Sequence, residues 1–411
     1  MGPTLITPLS TPQPADFADV RATNLAVALR YVRAHAPCSR ADIAAATGLN
    51  KATVSSLVTD LLERRLVTET GLTEHRIGRP ATMLMLDNTY AAVGLEVNTD
   101  HLTAVALDLA GERLLSWRRS FPGATATPGK TISALTALAR RALNRVAAED
   151  RRLLGVTVGV PGLVEPDGVV SVAPSLGWRD VDLRGQLARS LPTDTTFPVS
   201  VDNDANLAAT AEYRWGDHAG AGHLAYLTGQ TGIGAGIIVD GQLLRGARGL
   251  AGELGHLPLD PAGPVCGCGR RGCLEALTGV GALLRRADPE SFIDGVPSDW
   301  EPELTELIRR AKAEEKEVTA ALTEVGGWLG HAAGVLANLL NPEVIMLGGY
   351  FVPLAPWLLP AARAQLALRA LAPDAGGAQL VAGTLGHDAT AIGGAAKILA
   401  AVDAGHLPTA E

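Results

Sequence analysis

One short stretch of the chain has the residue types and spacing of a metal site: His256, followed by Cys266-Gly-Cys268-Gly-Arg-Arg-Gly-Cys273. Three thiolates and an imidazole make a four-coordinate zinc shell, and the intervening glycines let a short loop curl around the ion. A full protein ligand set leaves no open position for an activated water, so a zinc ion here is expected to be structural. The same thiols also read as reduced structural side chains or a redox pair, although Cys266 and Cys268 form a C-x-C pair and not the redox C-x-x-C. Cys38, the fourth cysteine, stands alone and reads as a small buried side chain.

The second chemical signal is polar and lies near the N-terminus. In the segment from Ser39 to Leu61, Ser39 with Asp42 three residues later caps one helix, Gly48 supplies a tight turn, and Asn50 caps a second helix. Val54, Leu57, Val58 and Leu61 repeat at helical spacing and predict the buried face. The opposite face carries Lys51, Thr53, Ser55, Ser56 and Thr59. These short polar or basic groups suit a helix entering a DNA major groove, where Lys51 meets phosphate and hydroxyls reach base edges. Arg76 and Arg79 sit at the tip of an expected hairpin and would touch phosphate or the minor groove. With a further helix before it and this hairpin after it, the segment predicts a winged helix-turn-helix and double-stranded DNA as partner. The competing reading is a degenerate protein-interaction module.

The elements that must carry these groups follow from pattern and length. A chain of 411 residues exceeds one ordinary core. Residues 1–19, rich in Pro, Thr and Ser, read as a flexible leader; residues 20–88 as the DNA-binding domain; and residues 89–411 as an effector domain with the zinc loop at 256–273. Residues 1–80 hold nine Lys/Arg against seven Asp/Glu in a chain of net charge −8, so the mildly basic end is the one that can meet DNA. From Ala91 onward strands and long helices alternate, which argues α/β layers: strands near 92–96, 102–109 and 153–158, a hairpin at 224–239, a helix over 318–340, a buried strand at 344–347 and a closing helix over 389–401. Two related lobes are suggested, but the internal repeat is faint. No apolar run is long enough to span a membrane and no signal-type leader is visible, so a cytoplasmic protein is expected.

With these residues in view, the chain resembles the ROK family (repressors, open reading frames and sugar kinases), specifically its DNA-binding repressor branch. The resemblance is carried by Val201-Asp-Asn-Asp-Ala-Asn206, Gly252-Glu-Leu-Gly-His256, the Cys266–Glu275 segment and Asn341-Pro-Glu-Val-Ile-Met-Leu-Gly-Gly349. It implies a two-lobed, duplicated actin-like/ribonuclease-H-like sugar-kinase fold, assembly as a homodimer or tetramer, and a sugar in the cleft between lobes. It also implies that Asn203, Asp204, Glu253, His256 and Glu275 contact that sugar, that Asp204 matches the general base of kinase members, and that His256 offers one nitrogen to zinc and the other to sugar hydroxyls. Ser175 stands where many sugar-binding relatives have Asn, and Trp178 is expected under the cleft rim.

The phosphate-binding signals depart from the kinase pattern. An Asp-x-Gly-Gly-Thr-like turn is replaced by Glu96-Val-Asn-Thr-Asp100, a Gly-Thr-Gly-x-Gly loop by Gln230-Thr-Gly-Ile-Gly234, and Gly348-Gly349 is followed by Tyr350. Side chains at the lost glycines would crowd an approaching phosphate. The expectation is therefore a sugar-responsive regulator that is no longer an enzyme, with Asp204 a vestigial base. The alternatives are a kinase using ATP and Mg2+ with an accessory DNA-binding domain, and a zinc-stabilised scaffold.

Overall fold

The computed structural model describes residues 17–72, 82–191, 197–292, 300–371 and 377–409. The chain forms two compact units: one runs to Tyr90 and resumes at Leu399, the other spans Ala91–Ile398.

The first unit is a winged helix. Helix α1 (Phe17–His35) begins inside the stretch read as a leader, since Pro14 is the last helix breaker before it. It is followed by β1 (Cys38–Ser39), α2 (Arg40–Thr47), α3 (Lys51–Glu63), β2 (Val67–Leu72) and β3 (Thr82–Leu86), with strand order β1-β3-β2. Ser39 Oγ accepts from Asp42 N at 3.2 Å while Asp42 Oδ2 accepts from Ser39 N at 2.9 Å, a reciprocal cap. Gly48 takes φ +73 at the end of α2, and Asn50 Oδ1 accepts from Thr53 N at 2.8 Å to start α3. Val54, Leu57, Val58 and Leu61 are buried, as their spacing predicts. So is Cys38. Asp60 is buried among them; burial would raise its pKa, but Arg64 and Arg21 outweigh that and hold it below the usual range. The end of the chain closes this unit: Arg33 pairs with Asp403, and Arg64 Nη1 donates to the Pro408 carbonyl at 2.6 Å.

The second unit contains two sheets of the same topology. In the first lobe, β4 (Tyr90–Val97), β5 (His101–Asp108) and β6 (Arg113–Ser120) form an antiparallel meander. After α4 (Pro128–Ala147), β7 (Arg152–Val160) lies beside β4; a small sheet of β8 (Leu163–Val164), β9 (Val169–Ala173) and β10 (Trp178–Asp182) and helix α5 (Leu183–Ser190) follow, and β11 (Val199–Asn203) runs parallel to β7. The order is β6-β5-β4-β7-β11. After α6 (Asp204–Trp215), the second lobe repeats the scheme with β12 (Leu224–Gly229), β13 (Ile233–Val239) and β14 (Gln242–Leu243) as the meander. Helices α7 (Leu274–Thr278), α8 (Val280–Ala287), α9 (Glu301–Lys312) and α10 (Lys316–Leu340) precede β15 (Val344–Gly349), parallel to β12, and α11 (Phe351–Arg369) precedes β16 (Gln379–Ala382), parallel to β15. Read as β14-β13-β12-β15-β16, the second sheet reproduces the first. This is the duplication that the sequence only hinted at, and it is the two-lobed actin-like arrangement. The closing helix is α12 (Ala389–Asp403).

Each lobe has its own apolar core, around Val93, Leu95, Leu135 and Val158 in one and Leu227, Leu329, Ile345 and Phe351 in the other. Trp178, expected under the cleft rim, is buried in the first of these cores, close in sequence to Pro174 and Ser175 of the cavity wall. Helices α10 and α11 meet along Gly326, Gly330 and Gly334; a Cβ at Gly330 would lie 2.1 Å from the Ala362 carbonyl oxygen, so the helix backbones nearly touch.

Candidate functional site

Between the lobes of the second unit lies a cavity of about 320 Å³, and its wall includes Asn203, Asp204, Glu253, His256 and Glu275 together with Ser175, Asn98 and Thr231. Strand β11 and helix α6 supply the first two. Asn203 is the last residue of β11 and caps α6: its Oδ1 accepts from Asn206 N at 3.0 Å and its Nδ2 donates to the Gly162 carbonyl at 3.1 Å. Each of these atoms keeps a second hydrogen-bonding position for a ligand in the cavity. Asp204, the first residue of α6, is 6% exposed and accepts from Ala205 N at 2.8 Å. Burial, helped by the charge of Glu96, pushes its pKa up to about 7. A carboxyl poised there can accept a hydroxyl proton or donate a hydrogen bond.

The opposite wall is built on the cysteine loop. Nδ1 of His256 lies 3.7 Å from Cys266 Sγ, Cys268 Sγ lies 3.7 Å from Cys273 Sγ, and the four ligand atoms all fall within 4.8 Å of one another. Burial pushes the Cys266 thiol up to about 12, whereas the backbone N–H of Arg270 helps bring Cys268 down to about 7. The cluster is of a kind that can hold a metal ion. Gly272, at φ +64, lets the loop pass against Asp260, where a Cβ would meet the carbonyl oxygen at 1.6 Å. Cys273 then opens α7, which carries Glu275. Glu275 Oε2 accepts from Ile233 N at 3.1 Å, joining the cysteine loop to the second glycine-rich loop. Glu253 precedes a short helical turn that ends in His256; its surroundings and the nearby Glu275 raise its pKa, with His256 opposing. With Nδ1 turned to the thiols, Nε2 of His256 is the ring nitrogen left for a ligand.

At one end of the cleft the turns that follow β4 and β12 meet. Thr99 Oγ1 and Thr231 Oγ1 are 2.7 Å apart, and Gln230 Nε2 donates to Glu96 Oε1 at 3.4 Å, so the two loops that would cradle phosphates are bonded to each other. Glu96 is 1% exposed. Burial alone would lower the pKa of His101, but Asp100, 2.5 Å away, and Glu96 outweigh it and raise it to about 9, so the imidazole is protonated at neutral pH. Buried Tyr350, edge-on to Trp300 at 5.8 Å, lines a remnant of about 20 Å³, room for roughly one water. Of this acid–histidine cluster the sequence reading took up Glu96 and Asp100 but not His101, and Arg118 reaches Asp100 only through the β5–β6 pairing.

In the first unit, Lys51, Ser55, Ser56 and Thr59 are exposed and Thr53 is half-buried, all on α3. Thr59 Oγ1 donates to the Ser55 carbonyl at 3.0 Å, and Ser56 Oγ lies 3.4 Å from Arg21 Nη1. Arg21, on α1, therefore borders this face and was missed because its contact spans two helices. Arg76 and Arg79 lie outside the described residues.

A reader of the winged-helix type and a two-lobed sugar-kinase-type fold with a Cys/His-walled cleft define a class: transcriptional regulators built on a kinase scaffold. Residues 92–401 match the ROK family model and residues 26–76 the MarR family model, so the chain belongs to the ROK family and carries a MarR-type DNA-binding domain. It is 29% identical over 380 residues to the xylose repressor of Bacillus subtilis (strain 168), covering 92% of this chain and 95% of the relative. It is 33% identical over 322 residues to the glucokinase of Halalkalibacterium halodurans, covering 75% of this chain and 94% of that enzyme. Among solved structures, a ROK family transcriptional regulator, homolog of the E. coli MLC protein, superposes with a TM-score of 0.79 at 25% identity, covering 95% of this chain and 98% of the other. No helix among the described residues is long and apolar enough to cross a membrane.

Proposed function

We propose that this protein is a cytoplasmic, sugar-responsive transcriptional repressor of carbohydrate uptake or catabolism genes, acting as a homodimer or tetramer. One observation carries the reading: both flanks of the four-ligand cluster, at Glu253 and Glu275, converge with His256 on the cavity that also holds Asn203 and Asp204. Carboxylates and an imidazole facing one cavity suit the paired hydroxyls of a sugar. Asp204 and Glu253 accept hydroxyl protons, Nε2 of His256 donates, Glu275 keeps the two loops in register, and Asn203 holds the start of α6. Lys51, Thr53, Ser55, Ser56 and Thr59 meet the operator, with Arg76 and Arg79 assigned to its minor groove or phosphates.

The donor set suits zinc held by His256, Cys266, Cys268 and Cys273. Sulfurs about 2.3 Å from a tetrahedral centre stand roughly 3.8 Å apart, and the Cys268 and Cys273 sulfurs are 3.7 Å apart. The ion supplies a rigid joint between the Glu253 and Glu275 segments. Sugar binding acts on DNA only through a difference in affinity between the DNA-competent and incompetent states. DNase footprinting on the promoter of the protein's own gene tests this, with D-glucose, D-xylose, N-acetylglucosamine and N-acetylmannosamine. Protection that changes with one sugar is expected; no protection in any state overturns the reading.

A second reading, an ATP- and Mg2+-dependent hexose or amino-sugar kinase, is favoured by Asp204 and by the likeness to a glucokinase. Against it stand the bonded Thr99 and Thr231 loops and the carboxylates of Glu96 and Asp100 where phosphate charge would fall. Sugar-dependent ATP consumption abolished by Asp204→Asn would reverse the preference.

A further inference from the structure

Asp202 is 4% exposed, and the sugar-contact roles leave it unused, although it directly precedes Asn203 and Asp204. Its carboxylate is fully engaged. Oδ1 accepts from Arg245 Nη1 at 3.1 Å and from Asn203 N at 3.0 Å; Oδ2 accepts from Arg245 Nη2 at 2.8 Å and from Lys397 Nζ at 2.6 Å. These partners come from three places. Asp202 is the last residue but one of strand β11 of the first lobe. Arg245 begins the second-lobe loop that leads to Glu253, and its carbonyl accepts from Ala251 N at 3.1 Å, which folds that loop. Lys397 lies on α12.

Helix α12 is placed to register the state of the cleft. Thr390 Oγ1 lies 3.4 Å from the Asp204 carbonyl oxygen, and a Cβ at Gly393 would lie 1.8 Å from the Leu207 carbonyl oxygen, so α12 sits backbone-to-backbone on α6. Glu212, near the other end of α6, accepts from Thr384 N at 2.7 Å and Leu385 N at 2.9 Å in the segment leading into α12. The same helix belongs to the effector unit through Ile398 and to the DNA-reading unit from Leu399, where Asp403 pairs with Arg33.

We propose that Asp202 is a positioning residue whose ion triad with Arg245 and Lys397 transmits the state of the sugar cleft to α12, and through that continuous helix to the DNA reader. A bidentate arginine–carboxylate pair fixes orientation as well as distance, so movement of the Glu253 loop on ligand binding pulls on the carboxylate that holds Lys397. The transmitting element is named, and both sites bias it. The inference rests on the sugar-responsive reading above.

The test uses the full chain and its Lys397→Gln, Lys397→Arg and Arg245→Gln variants. Lys397 and Arg245 are about one-third and one-half exposed, so both tolerate exchange. Sugar affinity is measured by calorimetry with the four sugars above, and amide exchange is followed over residues 389–403. Lys397→Gln is expected to keep sugar affinity within about threefold while the sugar-induced change in α12 exchange and in operator affinity shrinks by about fivefold or more, with Lys397→Arg restoring both. A merely structural role would weaken sugar binding and response in proportion, and that result, or a full response in Lys397→Gln, overturns the proposal. If the wild type binds none of the four sugars, the functional reading loses its support while the triad is still tested. Arg245→Gln, distant in sequence from α12, should by itself speed exchange over 389–403 about fivefold, and unchanged exchange overturns the proposal.

Discussion

The hydroxyls of Thr99 and Thr231, 132 residues apart, lie 2.7 Å from each other at equivalent turns of two sheets with the same strand order. Thr99 follows β4 and Thr231 follows β12, the central strands of the two lobes. The two turns close on one another, next to the buried carboxylate of Glu96. Removing either hydroxyl should remove the same bond. Thr99→Val and Thr231→Val are each expected to cost about 1 kcal/mol, and the double variant little more than either one. Urea unfolding of the three variants measures this, and simple additivity would mean that the hydroxyls act separately.

Asp204 makes a prediction whose sign is fixed by its burial. With a folded-state pKa of about 7 against an ordinary 3.8, the native chain holds a proton that the unfolded chain releases between those values. Stability contributed at this site therefore falls as pH rises through that window. Asp204→Asn keeps an acceptor for Ala205 N and removes the buried charge. It should be more stable than the wild type at pH 8, by on the order of 2–4 kcal/mol, and should match it near about pH 4. Denaturant midpoints at both pH values check this; a variant less stable at pH 8 would mean that the ionised carboxylate is held by partners that offset its burial.

The cysteine loop predicts a metal-dependent fold around Glu275. Cys273→Ser should lower bound zinc from about one ion per chain to near none and destabilise the protein by several kcal/mol, about 3 or more. Gly272→Ala tests the same loop without touching a ligand. A side chain at φ +64, against the Asp260 carbonyl, forces the loop outward and should weaken zinc and sugar binding together. Elemental analysis with calorimetry reads both, and sugar affinity that survives complete loss of zinc would separate the two sites.

What could be read from residue order was whatever is local. Ser39 with Asp42, Gly48 and Asn50 announce their caps because a cap bonds within three or four residues. The Cys/His cluster was legible because three of its ligands sit on one short loop. Other features depend on partners that only the fold brings together. The carboxylate of Asp202 is met by Arg245 and by Lys397, 43 and 195 positions away. His101 is held protonated by Asp100 beside it in sequence and by Glu96 across the β4–β5 pairing. The lobe repeat escaped sequence reading because it is conserved in strand order and not in side chains: β4 ends in a carboxylate-bearing turn and β12 in a glycine-bearing one.

The DNA-reading face separates two kinds of contact that can be told apart by salt. Lys51 is exposed at the first position of α3, the end of the helix that favours anions. A charge there meets phosphate and carries no sequence information, so Lys51→Ala should weaken binding to operator and to unrelated DNA alike and reduce the log–log salt slope by about 1. Ser55, exposed one turn further along, has its side chain free of the core, and the proposed role gives it a base edge. Ser55→Ala should leave the salt slope unchanged and cost about 1–2 kcal/mol on operator only. Thr59 spends its hydroxyl proton on the Ser55 carbonyl and is left only as an acceptor, so Thr59→Val should cost less than Ser55→Ala. Competition binding at several salt concentrations distinguishes the three. Equal losses on specific and nonspecific DNA for Ser55→Ala would show that α3 lies along the backbone and not in the groove.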